Sequence, residues 1–83
     1  MSQVRLNEQE VLAMMAEAFS ETSPLTPSMR RDDIDGWDSM GALMLMAELD
    51  ERFGLQLDAE ESRGMQVVSD LFAYLRRHGV MDE

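Results

Sequence analysis

The chain has 83 residues, a length that supports one hydrophobic core and predicts a single domain over residues 1–83. Arginine supplies all seven basic side chains against seventeen acidic ones, and the formal net charge is −10. Such a surface repels nucleic-acid phosphates and anionic lipid headgroups, so we expect no nucleic-acid binding and an attraction for basic protein partners. Cysteine is absent, which excludes a disulfide scaffold, a thiol nucleophile and a cysteine-ligated metal site.

The first five residues, Met1 to Arg5, are too polar for a signal peptide, and no apolar run approaches the length of a membrane span. We therefore expect a cytoplasmic protein without stable membrane insertion. Nine methionines are many for a chain of this length. Methionine is common both in adaptable cores and on adaptable binding faces, and its positions decide between the two.

The first predicted helix covers about residues 7–20. Asn7 and Glu10 have the spacing of a capping box, and Leu6 can pack against Val11 across the start of the helix. Its apolar residues recur at helical spacing: Val11, Leu12, Met15 and Phe19. A long connection follows to Trp37, broken by Pro24, Pro27 and Gly36. Its expected anchors to the core are Leu25, Ile34 and Trp37.

Three more helices are predicted, over about residues 38–53, 58–63 and 67–78. Gly54 and Gly79 are placed as left-handed C-terminal caps, Asp58 begins the short third helix and Gly64 ends it. The last helix has Val68, Leu71, Phe72 and Leu75 on one face. The sequence therefore predicts an all-α fold, a small four-helix bundle of three longer helices and one short helix, with a long loop between helices 1 and 2.

The second predicted helix is apolar on two sides. Its core face at 100° per residue comprises Ala42, Leu45, Met46, Leu49 and Phe53. Roughly opposite lie Met40, Leu43, Met44 and Ala47. A domain this small cannot bury both sides of one helix against other helices. The second side therefore lines a cavity, packs under the long loop, or stays exposed as a partner site.

No catalytic or metal-binding constellation is expected. The acidic loop from Asp32 to Asp38 is the best calcium candidate, but with Gly36 as the sixth loop residue its first ligand would be Arg31 and its twelfth would be Ala42. His78, the only histidine, falls in the last turn of the final helix, where it complements the helix dipole.

Ser39 is the candidate functional residue. Asp38 is the expected cap of the second helix, which places the Ser39 hydroxyl in the first helical turn. A phosphate ester there would gain about 0.3–1 kcal/mol from the helix dipole and could accept free backbone N–H groups. A serine at a helix start, taken alone, is most often only a cap.

The segment Asp35-Gly36-Trp37-Asp38-Ser39-Met40-Gly41-Ala42-Leu43 resembles the attachment motif of acyl carrier proteins. The resemblance extends over the whole chain, through Leu49, Phe53-Gly54, Leu57, the acidic short helix, Val68 and Leu75. It implies that a phosphopantetheinyl transferase moves 4′-phosphopantetheine from coenzyme A onto Ser39, and that Asp38 supports recognition by that enzyme. The arm's terminal thiol would hold acyl groups as thioesters, so the chain itself would need no cysteine.

The resemblance also implies a monomer that docks with acyl-loading and acyl-processing enzymes. The expected docking residues are Met40, Gly41, Leu43, Met44 and Ala47, with Asp50, Glu51 and Glu60 steering from the rim. Carriers of primary fatty acid biosynthesis usually have acidic residues where Gly41 and Met44 stand here. Gln66 likewise replaces a Ser or Thr that often caps the last helix.

These departures indicate a discrete carrier of a specialised lipid, polyketide or related pathway. Two alternatives stay open. The Asp-Ser-Met-Gly sequence followed by Phe-Gly is also similar to D-alanyl carrier proteins, which favours an aminoacyl carrier. An acidic helical module that binds another protein without being modified would show the same apolar helix.

Overall fold

Four α-helices and one 3₁₀ turn form the regular structure of residues 5–81, the part of the chain that this computed structural model describes. The helices are α1 (Glu8–Ala18), α2 (Ser39–Phe53), α3 (Ala59–Gly64) and α4 (Val68–Arg77). Within that range there is no β-strand, only two isolated bridges between Leu6 and Met81 and between Arg30 and Val67. The predicted all-α four-helix fold is confirmed. Residues 1–4 and 82–83 lie outside the described range. The expectation that residues 1–5 are not part of a signal peptide therefore concerns residues that mostly lie outside it.

Acidic and amide side chains start three of the helices at the predicted residues. The Asn7 Oδ1 atom accepts the Glu10 N–H (2.9 Å) and the Glu10 Oε1 atom accepts the Asn7 N–H (3.0 Å), so the capping box is present. The Asp58 Oδ1 atom accepts the Glu61 N–H at the start of α3 (2.7 Å). Each such bond satisfies a backbone donor that has no partner inside its helix.

The start of α4 differs from the prediction, which placed Gln66 at the capping position. The capping residue is Val67, whose side chain cannot accept a hydrogen bond. Asp70, one turn into the helix, supplies the acceptor instead: its Oδ2 atom accepts the N–H groups of Gln66 (2.9 Å) and Val67 (3.1 Å).

The long loop completes this cap. The N–H groups of Val68 and Ser69 donate to the carbonyl oxygens of Met29 (3.0 Å) and Pro27 (3.1 Å). The loop therefore satisfies donors that a helix leaves unpaired at its N-terminus, and it is held against α4 by backbone hydrogen bonds. A 3₁₀ turn at Arg31–Asp33, which the sequence did not predict, follows directly.

The helix ends follow the predicted glycines except in α1. Gly54 (φ +67°) and Gly79 (φ +73°) are left-handed as expected. The first helix stops at Ala18, two residues before its predicted end, and Ser20 takes the left-handed conformation (φ +56°) without being glycine. The Glu21 N–H then donates to the Ala16 carbonyl oxygen (2.8 Å), which closes the helix.

The core contains the predicted apolar faces and the three predicted loop anchors. Leu25, Ile34 and Trp37 are each at most 5% exposed. Leu12, Met46 and Phe53, assigned to the core from periodicity, are only partly buried at its edge. The methionines serve both purposes that their number suggested: Met14, Met15, Met65 and Met81 are buried, whereas Met40 and Met44 are exposed.

Candidate functional site

Ser39 is the first residue of α2 and is exposed. Asp38 caps this helix, because its Oδ1 atom accepts the Gly41 N–H (2.8 Å). The Ser39 hydroxyl is therefore not needed as a cap. The side chain stands at the positive end of the α2 dipole, open to solvent, where a negatively charged substituent is favoured.

Aromatic packing fixes the chain just before this serine. Trp37 is buried and stacks on Phe19, with ring centroids 5.2 Å apart and an angle of 16° between the planes. The Arg31 guanidinium lies 5.5 Å from the Trp37 ring centroid, and its Nε donates to the Trp37 carbonyl oxygen (3.4 Å). Stacking and the cation–π contact together anchor the loop two residues before Ser39.

Gly41, predicted on the docking surface, is buried and offers a partner little exposed area. A Cβ atom at this position would overlap the carbonyl oxygen of Gly36 and lie 3.0 Å from the Cδ1 atom of Phe19. Glycine therefore lets the loop pass directly under the first turn of α2. Gly36 is itself confined, because a Cβ there would overlap the Phe19 carbonyl oxygen, and its N–H donates to Glu21 Oε2 (3.1 Å).

The other apolar residues of the second stripe are exposed. Met40, Leu43 and Met44 are 67%, 59% and 50% exposed, and Ala47 is exposed beside them. These four residues are called the apolar face of α2. The face neither packs under the long loop nor lines an internal cavity, which decides between the alternatives that the sequence left open. The acidic residues Asp50, Glu51 and Glu60 are also exposed.

Two grooves flank the start of α2. The α1–α2 groove, of about 280 Å³, is lined by Glu17, Ala18, Phe19, Ser20, Gly36, Asp38, Met40, Gly41 and Met44. The α2–α3 groove, of about 260 Å³, is lined by Arg31, Ser39, Ala42, Leu43, Met46, Ala59, Ser62 and Arg63. Ser39 therefore lines the second groove, and its neighbour Asp38 lines the first.

The acidic loop, which was considered as a calcium site, and His78 make local contacts. Within residues 5–81, no group of three or more His, Cys, Asp or Glu side chains is placed to hold a metal ion. The Asp33 carboxylate accepts the Arg30 N–H (3.1 Å) at the start of the 3₁₀ turn. His78 is exposed at the C-terminal end of α4, and its ring centroid is 4.5 Å from that of Tyr74. No helix in the described part of the chain is long and apolar enough to cross a membrane.

Calcium should not bind the loop from Asp32 to Asp38 with sensor-like affinity. Arg31 and Ala42 stand at positions where an EF-hand loop needs carboxylate ligands, and the Asp33 carboxylate already accepts a backbone N–H. A titration that follows Trp37 fluorescence is expected to give no saturable change at micromolar calcium. A saturable change in that range would contradict this expectation.

Comparison with known proteins adds an independent observation. The chain is 26% identical over 77 residues to the meromycolate extension acyl carrier protein of Mycolicibacterium aurum, covering 86% of this chain and 78% of that protein. It is 28% identical over 75 residues to the acyl carrier protein of Renibacterium salmoninarum, covering 83% of this chain and 91% of that protein. The chain is therefore similar to acyl carrier proteins over most of its length.

A further relative, the meromycolate extension acyl carrier protein of Mycolicibacterium smegmatis, is 25% identical over 76 residues and covers 84% of this chain. No protein-family model and no solved structure matches the chain. These relatives are named acyl carrier proteins. Their similarity confirms the predicted resemblance and supports a carrier role, and they name no partner for this chain.

Proposed function

We propose that this chain is a discrete acyl carrier protein that holds acyl groups as thioesters on a 4′-phosphopantetheine arm attached to Ser39. The observation that carries the proposal is the division of roles at the start of α2. Asp38 makes the capping bond to Gly41, and Ser39 stands exposed beside it. The kinship with acyl carrier proteins supports the same site, because this serine lies in the segment that resembles their attachment motif.

The residues at the site suit the arm. Its phosphate would be attached at the positive end of α2, which favours negative charge. Open grooves on both sides of Ser39 leave room for an extended substituent. Within residues 5–81 there is no cysteine to compete with the arm, whose thiol would supply the group that forms thioesters. Asp38 is exposed and can contact a transferase while it caps the helix.

Intact-mass measurement tests this proposal. The purified chain is incubated with coenzyme A and a phosphopantetheinyl transferase of broad specificity. We expect the mass to rise by one phosphopantetheine group. An unchanged mass, with a known carrier modified in parallel, would favour the non-modified interaction module instead. Supplying the modified protein with acyl-loading or D-alanine-loading enzymes then distinguishes an acyl carrier from an aminoacyl carrier.

The apolar face of α2 is the proposed docking surface for loading and processing enzymes, with Asp50, Glu51 and Glu60 steering at its rim. Its residues follow the attachment serine along α2, and three of them are at least half exposed despite being large and apolar. Exposed apolar patches next to a functional group commonly mark partner sites. The net charge of −10 would speed encounters with basic partners.

Met44→Glu should weaken binding to the cognate loading enzyme by at least about 1 kcal/mol, or roughly fivefold in Kd. The change puts a charge into a contact that must lose its water when the partner binds. Binding is measured by titration calorimetry at low and moderate salt. Gln56→Glu is the matched control, since Gln56 is exposed in the α2–α3 connection and the charge change is the same. Equal affinities for the wild type and Met44→Glu would show that the docking surface is misplaced.

The apolar face of α2 also bears on which biosynthetic pathway the carrier serves. Carriers of primary fatty acid synthesis usually have acidic residues beside the arm, and here Met44 is exposed at such a position. We therefore propose service in a specialised lipid, polyketide or related pathway. Met44→Glu restores an acidic residue, so it should bind an enzyme of primary fatty acid synthesis better than the wild type does, in contrast to its effect on the cognate enzyme.

A further inference from the structure

We propose that Arg31 and Arg63, which line the same groove as Ser39, bind the phosphodiester of the arm. This inference rests on the proposed modification of Ser39. It adds a positioning site that the resemblance to acyl carrier proteins does not contain. The site follows from the uneven distribution of positive charge around the start of α2.

Arginine is scarce in this chain. Within residues 5–81, ion pairs join Arg52 to Glu48, Arg76 to Glu8 and Arg77 to Glu61. Arg31 and Arg63 have no carboxylate partner within 4.0 Å among residues 5–81. Both line the same groove as Ser39. In a protein with a net charge of −10, two uncompensated cations beside one serine form a local site for an anion.

Arg31 is held in place at this groove. Its Nε and Nη1 atoms donate to the carbonyl oxygens of Trp37 and Ser62, each at 3.4 Å. Carbonyl oxygens leave the positive charge uncompensated, and a guanidinium has five N–H donors, so donors remain for a phosphate oxygen. Because Arg31 bridges the loop and α3, its position is fixed before an anion arrives. Arg63 is exposed on α3 and can move toward the anion.

The opposite side of Ser39 has the opposite charge. Glu17 and Asp38 line the α1–α2 groove, and the Glu21 carboxylate accepts the N–H of Gly36, another lining residue. A phosphodiester carries one negative charge at neutral pH, so these carboxylates repel it while Arg31 and Arg63 attract it. The depression beyond Arg63 is lined by Asp58 and Glu60, which confines the favourable region to the side facing Ser39.

The apolar lining of the α2–α3 groove suits the rest of the arm. Leu43 and Met46 line it beyond Ser39, together with two alanines. The pantetheine portion carries two methyl groups on the second carbon from the phosphate ester, and contact of these methyls with an apolar wall is favourable. The basic end of the groove and its apolar wall thus match the order of groups along the arm.

Nuclear magnetic resonance of the arginine side chains tests the proposal without mutation. Apo protein and arm-bearing protein, the latter verified by intact mass, are compared through their Nε–Hε signals. We expect the signals of Arg31 and Arg63 to shift when the arm is attached, and those of Arg30 and Arg52 to stay in place. Arg30 is one residue from Arg31 but does not line the groove, and Arg52 is paired with Glu48 near the far end of α2. Shifts that are absent, or equal in all four arginines, would overturn the proposal.

A variant of Arg63 gives the second test, because Arg31 also anchors Trp37 and its loss would disturb the loop. In arm-bearing Arg63→Gln, the ³¹P signal of the phosphodiester should move toward its position in the same protein unfolded in urea. The matched control, Arg30→Gln, removes the same charge outside the groove and should leave the signal unchanged. Equal ³¹P signals in the wild type and Arg63→Gln would overturn the proposal that Arg63 binds the phosphodiester. A mass that never gains the arm would instead refute the modification of Ser39, so the two failures are distinguishable.

Discussion

Gly41→Ala should lower the free energy of unfolding by at least about 2 kcal/mol, the scale of overpacking in a closely packed core. The added Cβ would overlap the Gly36 carbonyl oxygen, a backbone atom that cannot turn aside as a flexible side chain can. Gly36 cannot retreat, because it is packed against the backbone of Phe19. Alanine is favoured over glycine inside a helix by only about 1 kcal/mol, which is less than the expected cost of the overlap.

Urea denaturation of the wild type and the variant measures this effect. For a domain of this size, a loss of 1 kcal/mol corresponds to a fall in Tm of roughly 4–8 °C, so thermal melting is a second readout. Gly64→Ala is the control, because a Cβ there meets nothing within 4 Å and Gly64 ends α3 without a left-handed φ. That variant should be neutral or slightly more stable. A Gly41→Ala protein as stable as the wild type would show that the loop does not pass under α2 so closely.

Ser39→Ala should abolish attachment of the arm while the free energy of unfolding changes by less than about 1 kcal/mol. The reason is the separation of the two roles at the start of α2: the capping bond joins Asp38 to Gly41 and does not involve the serine. A serine needed as a cap would cost about 1 kcal/mol or more on replacement by alanine. The two readouts, intact mass after treatment with the transferase and urea denaturation, separate chemistry from stability.

Ser69→Ala provides the comparison for the modification experiment. Ser69 is exposed in the first turn of α4, so it shares the local setting of Ser39 without the attachment motif. The Ser69→Ala protein should be modified as fully as the wild type. Modification that persists in Ser39→Ala would show that the arm is attached at another residue. Unfolding of that variant would show that Ser39 is chiefly structural.

The sequence predicted the helices well because their limits depend on local interactions. The pair Asn7 and Glu10 needs only a spacing of three residues to form its capping box, and Gly54 needs only its freedom to adopt a positive φ. The apolar face of α2 also followed from geometry, since 100° per residue places Met40 and Met44 roughly opposite Leu49. The expectation that such a helix has more apolar surface than the domain can cover is confirmed by the exposure of these methionines.

What the sequence did not predict depends on contacts between distant segments. Gly41 was expected on the docking surface from the resemblance to acyl carrier proteins, and only the passage of Gly36 beneath it shows that the position is buried. Two glycines five residues apart were the one available signal of that close approach. The left-handed Ser20 gave no signal, since glycine usually takes this conformation. The cap of α4 by Pro27 and Met29 depends on loop placement, which local patterns do not encode.

Fragmentation mass spectrometry of the modified protein identifies the residue that carries the arm. The chain is treated with coenzyme A and the transferase, digested, and the peptide that contains Trp37, Asp38 and Ser39 is sequenced by fragmentation. We expect one phosphopantetheine group, located on Ser39, in nearly every molecule. An unmodified Ser39 peptide, or an arm located on another serine such as Ser62 or Ser69, would contradict it.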